Sequence, residues 1–420
     1  MTSPIGASRD FRLLWVGGLA AATGAQMSSV GLPLLVLRHT GSPVLAGAVG
    51  TVSLATLVIT MLPGGALADR AERRRLMLSC DILSAAVTGA FAVAVLAGRV
   101  PVLLALAVAT VGALIASIYI PASFGLLRSI VPDEQVSQAT ARLQARSATA
   151  RLAGPAAGGA LFAWHPALPF AAETAGLLIS AACLLLMRTR SRPAPGPAGP
   201  SKGGLTAGVR FLWRQPYLRT ALLVFGIGMN SGFAALSFVA LAVASRGGQS
   251  GLGGGIVVSL GSVGALAGSL LAPRLSGRLR SGTMIALTCW ASAAAAGILA
   301  VRRDVPLMGG LVAVCLAVAA VASVGFVAAL VVSSPPDATG RVQSAAGFLS
   351  SVAQPAGPLL GGFLLARWGP GPAFAVLGAV FAVCAVIITW APSIRRESRG
   401  PAVGPAEPAG APAAAPAREG

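Results

Sequence analysis

Charge is scarce in this chain of 420 residues. Only 10% are Asp, Glu, Lys or Arg, against about 25% in an ordinary soluble domain. That is too little to wet a globular surface, and 55% of the residues are hydrophobic, with a mean hydropathy of +0.80. Lipid is therefore the expected solvent. Acidic residues are rarer still, 12 against 31 Lys and Arg, which leaves a net charge of +19. A nucleic-acid-binding chain gathers such an excess on one face or domain. Here it is spread through short gaps between apolar runs, so no nucleic-acid partner is expected. Cys80, Cys183, Cys289, Cys315 and Cys384 all lie in apolar runs with no CxxC pair, and His39 and His165 fall at expected helix ends. No metal site follows from that spacing. A glycine-rich phosphate loop, a Ser-His-Asp set and a paired-carboxylate motif are also missing, so neither an enzyme nor a cofactor is expected. Aromatics make up 5%, and several Trp stand at run ends, where membrane–water interfaces favour them.

What the chain has in abundance is long apolar runs: 13–37, 43–67, 76–97, 101–127, 143–163, 167–187, 219–244, 252–273, 283–300, 305–332, 343–366 and 371–391. About 20 helical residues cross roughly 30 Å of hydrocarbon, and each run is within reach of that length. Run 143–163 is interrupted by Arg146 and Arg151. Arg9 and Arg12 before the first run resemble a signal peptide, but the run is too long for a cleaved apolar region and fits an uncleaved span. With the N-terminus in the cytoplasm, 25 of the 31 basic residues fall on the inner side, and only Arg38, Arg99, Arg246, Arg302, Arg303 and Arg367 fall outside. The positive-inside rule then places both termini in the cytoplasm, with a bacterial inner membrane the expected location. Residues 188–218 are rich in Pro, Gly and Arg and read as a linker. The expected organisation is a six-helix bundle over 1–187, a cytoplasmic linker over 188–218, a second six-helix bundle over 219–391 and a disordered tail over 392–420.

The two bundles repeat one another. Gly154-Pro155-Ala-Ala-Gly158-Gly159 recurs as Gly357-Pro358-Leu-Leu-Gly361-Gly362, and 357 − 154 = 203. Pro132-Asp133 is echoed by Pro336-Asp337, Trp164 by Trp368, and the Gly65 loop by the Gly268 loop. Internal repeats of apolar helices are typical of secondary transporters. Ala150, Gly154 and Gly158 recur every four residues, as do Ala353, Gly357 and Gly361. Small residues at that spacing form a flat helix face for close packing. Two equivalent copies favour a sealed or moving interface between the bundles over ordinary helix packing.

The gap between the second and third runs reads Gly65-Ala-Leu67-Ala-Asp69-Arg70-Ala-Glu72-Arg73-Arg74-Arg75. A plain basic loop explains the arginines but not the Asp after the Gly. Here the chain resembles the major facilitator superfamily, whose signature in this loop is G-x-L-x-D-R-x-G-R-R. Gly65, Leu67, Asp69, Arg70, Arg73 and Arg74 match, and Glu72 replaces the second glycine. The resemblance implies a cytoplasmic latch between the bundles. The Gly-Pro-x-x-Gly-Gly motif resembles the fifth-helix signature of that family's drug/proton antiporters. Tyr119-Ile-Pro121-Ala122, Val131-Pro132-Asp133-Glu134 and Ala139, with Phe11-Arg12-Leu-Leu-Trp15 and Leu32-Pro33, resemble the macrolide-efflux and siderophore-exporter branch. An acid found in the first span of many members is absent, since the sequence there is Gly24-Ala25-Gln26.

Ionisable residues within the expected membrane are Asp81, Arg151 and Glu173, with Arg146 shallower. Such groups are costly in lipid and default to functional candidates. Asp81 is expected to pair with the nearby Arg74 and Arg75 before any role in coupling. Arg151 aligns with Gln354, since 354 − 151 = 203, and both are placed near the midplane. Glu173 is either an interfacial carboxylate or the coupling acid. Gln26, Tyr119 and Asn230 are cavity candidates by the resemblance, and each is equally readable as a helix–helix hydrogen bond. Walls of Ala, Val, Leu and Gly suit an apolar or weakly charged cargo. The expected function is export of a small amphipathic or apolar compound by proton antiport, from a monomer in the bilayer. The alternatives are an uptake symporter and a non-transporting scaffold or sensor.

Overall fold

A computed structural model describes residues 8–100, 102–189, 204–245, 251–276, 280–334 and 339–391. The expected tail, residues 190–203 of the expected linker, and Pro336-Asp337 lie outside the described residues. The described chain is helical: α1 Arg9–Thr40, α2 Pro43–Arg70, α3 Arg73–Leu96, α4 Val102–Ile130, α5 Val136–Trp164, α6 Leu168–Leu186, α7 Gly204–Arg214, α8 Pro216–Ala221, a π segment Leu222–Met229, α9 Asn230–Ala244, α10 Leu252–Ser276, α11 Ser281–Val301, α12 Val305–Ser333, α13 Thr339–Val352, α14 Ala356–Trp368 and α15 Pro370–Trp390. Among the described residues, eleven helical stretches are long and apolar enough to cross a membrane, counting Pro216–Ala244 and Val342–Trp368 as single stretches. α5 has the length, at 29 residues, but Arg142, Arg146 and Arg151 keep it out of that set.

Local chemistry sets the helix ends. The Ser8 and Ser42 hydroxyls accept from Phe11 N and Leu45 N, capping α1 and α2, and Pro43 opens α2 where no N–H is needed. Gly41 closes α1 in the left-handed region at φ 66°, which costs glycine nothing. Short connections at 41–42, 97–100, 165–167, 302–304 and 369 turn successive helices back on themselves. Those connections define the far end of the molecule. Residues 8 and 391 lie at the opposite, near end.

Two departures from the sequence reading concern helix continuity. The stretch expected to be linker contains α7, because Pro and Gly crowd only up to Gly204. Beyond it Val209, Phe211 and fully buried Leu212 line one helix face, and α7 packs on α13. The run 343–366 is broken by a turn at residues 353–355, whereas its counterpart α5 is continuous. The reason is an extra proline: 355 − 203 = 152, so Pro355 stands where the first copy has Leu152. Two prolines three residues apart remove two helix N–H donors and crowd the preceding carbonyls.

Packing repeats between the chain halves. α1·α5, α2·α4 and α3·α6 in the first half correspond to α9·α14, α10·α12 and α11·α15 in the second. One apolar core draws on residues from Leu212 to Ile388, while the first half builds its own clusters, which Phe238 and Leu241 join. Across the halves, α5 meets α10 and α14 meets α2.

Candidate functional site

Those two crossings form a seam towards the far end, and each is built from one copy of the Gly-Pro-x-x-Gly-Gly motif. The motif has two faces. Gly154 and Gly158 lie on α1: a Cβ at Gly158 would stand 2.6 Å from the Met27 carbonyl oxygen. Gly357 and Gly361 face Ser231, Ala235 and Val239 of α9 in the same way, a Cβ at Gly357 standing 2.5 Å from Ser231 O. The Gly154/Gly158 stripe expected at the interface between halves therefore packs within its own half, as does Gly357/Gly361. The adjacent face crosses over. A Cβ at Gly159 would come 2.6 Å from Gly251 O and 3.0 Å from Gly255 Cα, and one at Gly255 would come 2.5 Å from Pro155 O. In the second copy Gly362 abuts Pro43 O, and Gly47 abuts Pro358 O. At each crossing the backbones touch where no side chain fits.

A hydroxyl fastens each crossing. Ser259 Oγ accepts from Ala156 N at 2.8 Å, and Thr51 Oγ1 accepts from Leu359 N at 3.1 Å. The pairs are equivalent: 359 − 156 = 203 on the motif helices, and 259 − 51 = 208 on their partners. Both amides follow the motif proline, which disturbs the helical bonding around it, and Ser or Thr commonly satisfies such freed groups. In the broken second copy Thr51 also donates to Pro355 O at 2.6 Å, and Ser231 donates to Ala353 O at 2.7 Å. Thr51 and Ser259 were not singled out in the sequence; the signal was their shared position, eight residues after Pro43 and Gly251.

The near-end loop is open by comparison. Gly65 has nothing within 4 Å, Asp69 and Arg70 are exposed, and Asp69 forms no ion pair among the described residues. Arg73 donates to Gly125 O at 3.4 Å. Arg74 donates to Leu184 O at 2.7 Å and Leu185 O at 2.9 Å, capping the last carbonyls of α6. Arg75 pairs with Glu72 at 2.7 Å. Two of the matched arginines thus tie this loop to α4 and α6 of its own half. Asp10, unremarked in the sequence, does similar work by accepting from Arg188 N, Thr189 N and the Thr189 hydroxyl.

Between α1, α3, α4, α5 and α6 lies a cavity of about 320 Å³. Gln26, Asp81, Tyr119, Arg146, Arg151 and Glu173 all line it, among apolar residues such as Ile115, Phe124 and Leu177. Asp81 does not pair with Arg74 or Arg75 as expected, because those arginines are engaged elsewhere and Asp81 turns inward, 1% exposed. Its carboxyl shares the Ser180 hydroxyl with Tyr119, whose hydroxyl lies 3.2 Å from Ser180 Oγ. Arg146 is 9% exposed and donates through Nη1 to Leu14 O at 3.1 Å beside Gly18 of α1. Asp81 Oδ2 and Arg146 Nε are buried without a partner, a condition that costs about 1–3 kcal/mol per group. Glu173 sits seven residues up α6 from Ser180, about 10 Å of helical rise, beside Gly24 and Ser28 of α1. Asn230 and Gln354 do not reach this cavity. Asn230 Nδ2 donates to Gly226 O at 3.0 Å and Ser350 O at 3.5 Å, and Gln354 O accepts from Gly357 N at the helix break.

Bundled apolar helices around a mostly apolar cavity with a few charged groups are the build of a membrane transporter, and the family match bears that out. Residues 14–358 match the Major Facilitator Superfamily, and the chain belongs to that family. It is 28% identical over 222 residues to the multidrug efflux pump Tap of Mycolicibacterium fortuitum, covering 50% of this chain and 54% of that protein. It is 31% identical over 226 residues to Tap of Mycobacterium tuberculosis H37Rv, covering 50% and 52%. The chain spans about half the length of these curated relatives. Its fold matches a point mutant of the nucleoside transporter NupG at a TM-score of 0.73, with 12% identity over 90% of this chain and 99% of that one. It also matches a bacterial Spinster homologue, solved inward-facing and unoccupied, at a TM-score of 0.68, with 13% identity over 94% and 97%.

Proposed function

We propose that this chain exports small amphipathic or apolar compounds in exchange for protons, by alternating access. α5 supplies the twelfth span, its arginines turned towards the cavity and the near end, which completes two six-helix bundles over 1–187 and 219–391. The basic excess places the near end in the cytoplasm. The conformation described, with the far-end seam made and the Asp69 loop unengaged, is then the inward-facing one. The observation that carries the reading is the cavity itself: mostly apolar walls around Glu173 and Asp81, in a chain whose relatives are named efflux pumps. Glu173 is the proton carrier in this reading, since it lines the cavity furthest from the cytoplasmic arginines. Asp69 is the cytoplasmic latch, engaged when the near end closes. A panel of drugs and dyes applied to cells expressing the chain tests export. Lower accumulation of amphipathic compounds is expected, abolished by dissipating the proton gradient. Higher accumulation would indicate uptake, and no change for any compound would favour the scaffold or sensor reading.

A further inference from the structure

The lower lobe of the cavity carries chemistry that proton exchange at Glu173 does not use. Asp81 lies eight residues from the near end of α3, Arg146 ten from that of α5, Tyr119 eleven from that of α4 and Ser180 six from that of α6, so all four sit about two to three turns in from that end. Asp81 and Arg146 are opposite in charge, line the same cavity and form no ion pair among the described residues. Tyr119 lies within electrostatic reach of both. Each carries one buried polar atom left open: an acceptor on Asp81 and a donor on Arg146. A charge buried this deeply is retained at a cost unless something completes it. With Arg151 and Glu173 the lining holds two acids and two arginines, so groups of both signs face one cavity.

We propose that Asp81, Tyr119, Ser180 and Arg146 form a head-group subsite for amphoteric amphiphiles. Asp81 receives an ammonium or other donor, Arg146 Nε binds a carboxylate or other acceptor, and the Tyr119–Ser180 hydroxyl pair holds Asp81 in place. The apolar tail lies upward along Ile115 and Leu177. The proposal rests on the transporter reading and narrows its cargo to compounds carrying a donor and an acceptor on one head.

Binding to the purified full chain in lipid nanodiscs, without any gradient, tests it with three decyl-chain probes: 2-aminodecanoate, decylamine and decanoate. The first should bind about ten-fold or more tightly than either single-headed probe, as a charged hydrogen bond warrants. Asp81→Asn should erase its advantage over decanoate, and Arg146→Gln its advantage over decylamine. Tyr119→Phe, which keeps the ring, should weaken 2-aminodecanoate and decylamine by roughly two- to five-fold and leave decanoate unchanged. Equal affinity of the wild-type chain for all three probes overturns the subsite. So does a uniform loss across probes in both charge variants, since that marks a structural pair or a purely protonic Asp81. Because no gradient is imposed, failed export with intact discrimination would sink the exporter reading and leave the subsite standing; export without discrimination would do the reverse.

Discussion

Four ionisable side chains of the first half, Asp81, Arg146, Arg151 and Glu173, line one cavity. In the second half the charged residues beyond the π segment stay close to helix ends, and the polar groups inside are neutral, such as Asn230, Ser231 and Gln354. At the seam the halves are alike. Gly159 and Gly362 each meet backbone of the other half, and Ser259 and Thr51 each take the amide that follows a motif proline. The near-end loops differ again, since Asp69 is exposed and charged, whereas at the 203-residue offset the second half has buried Ala272. The halves thus meet through two like crossings, while the ionisable groups of the cavity all come from the first half. Intramembrane charge is costly and persists where it is used, whereas a seal must close from both sides.

The comparison can be broken most severely at Glu173. Glu173→Gln should abolish gradient-driven accumulation of substrate while leaving substrate binding and passive exchange in place; continued accumulation would make Glu173 structural and leave Asp81 as the acid to test. At the seam the halves should respond equally. Gly159→Leu and Gly362→Leu each overpack a backbone contact, costing about 1–3 kcal/mol, which shifts the balance between states by roughly 5–150-fold. Far-side labelling of Gln26→Cys, with the native cysteines replaced by Ala, should rise in both. Gly158→Leu packs within its own half and should lower thermal stability in place of raising that labelling. Asp69→Asn should cut transport at least several-fold at normal membrane abundance, an effect with no counterpart at Ala272; full activity would reduce the loop to a topology signal. Thr51→Val and Ser259→Ala each remove one neutral hydrogen bond, worth about 0.5–1.5 kcal/mol, and should open the far side to similar, smaller extents. A change confined to one of them would break the equivalence of the crossings.

The long apolar periods made the helices legible, and the 203-residue offset pointed to both seam helices. Gln26 and Tyr119 were within reach as cavity candidates through the family resemblance, and Arg151 and Glu173 because ionisable groups in apolar runs are few. Which face each residue takes was not. Gly158 and Gly159 are neighbours in sequence but about 100° apart on a helix, so one serves α1 and the other α10. Asp81 looked destined for the arginines just before it, yet Arg74 is held by the carbonyls ending α6, more than a hundred residues away. The break at residues 353–355 was written in Pro355, and α7 in the apolar spacing after Gly204.

The most direct measurement is flux into proteoliposomes holding the purified chain, with a pH gradient imposed across the membrane and the 2-aminodecanoate probe on the less acidic side. The account predicts that the probe accumulates on the more acidic side as protons move the opposite way, and that Glu173→Gln ends this movement. Probe and protons moving together would contradict it.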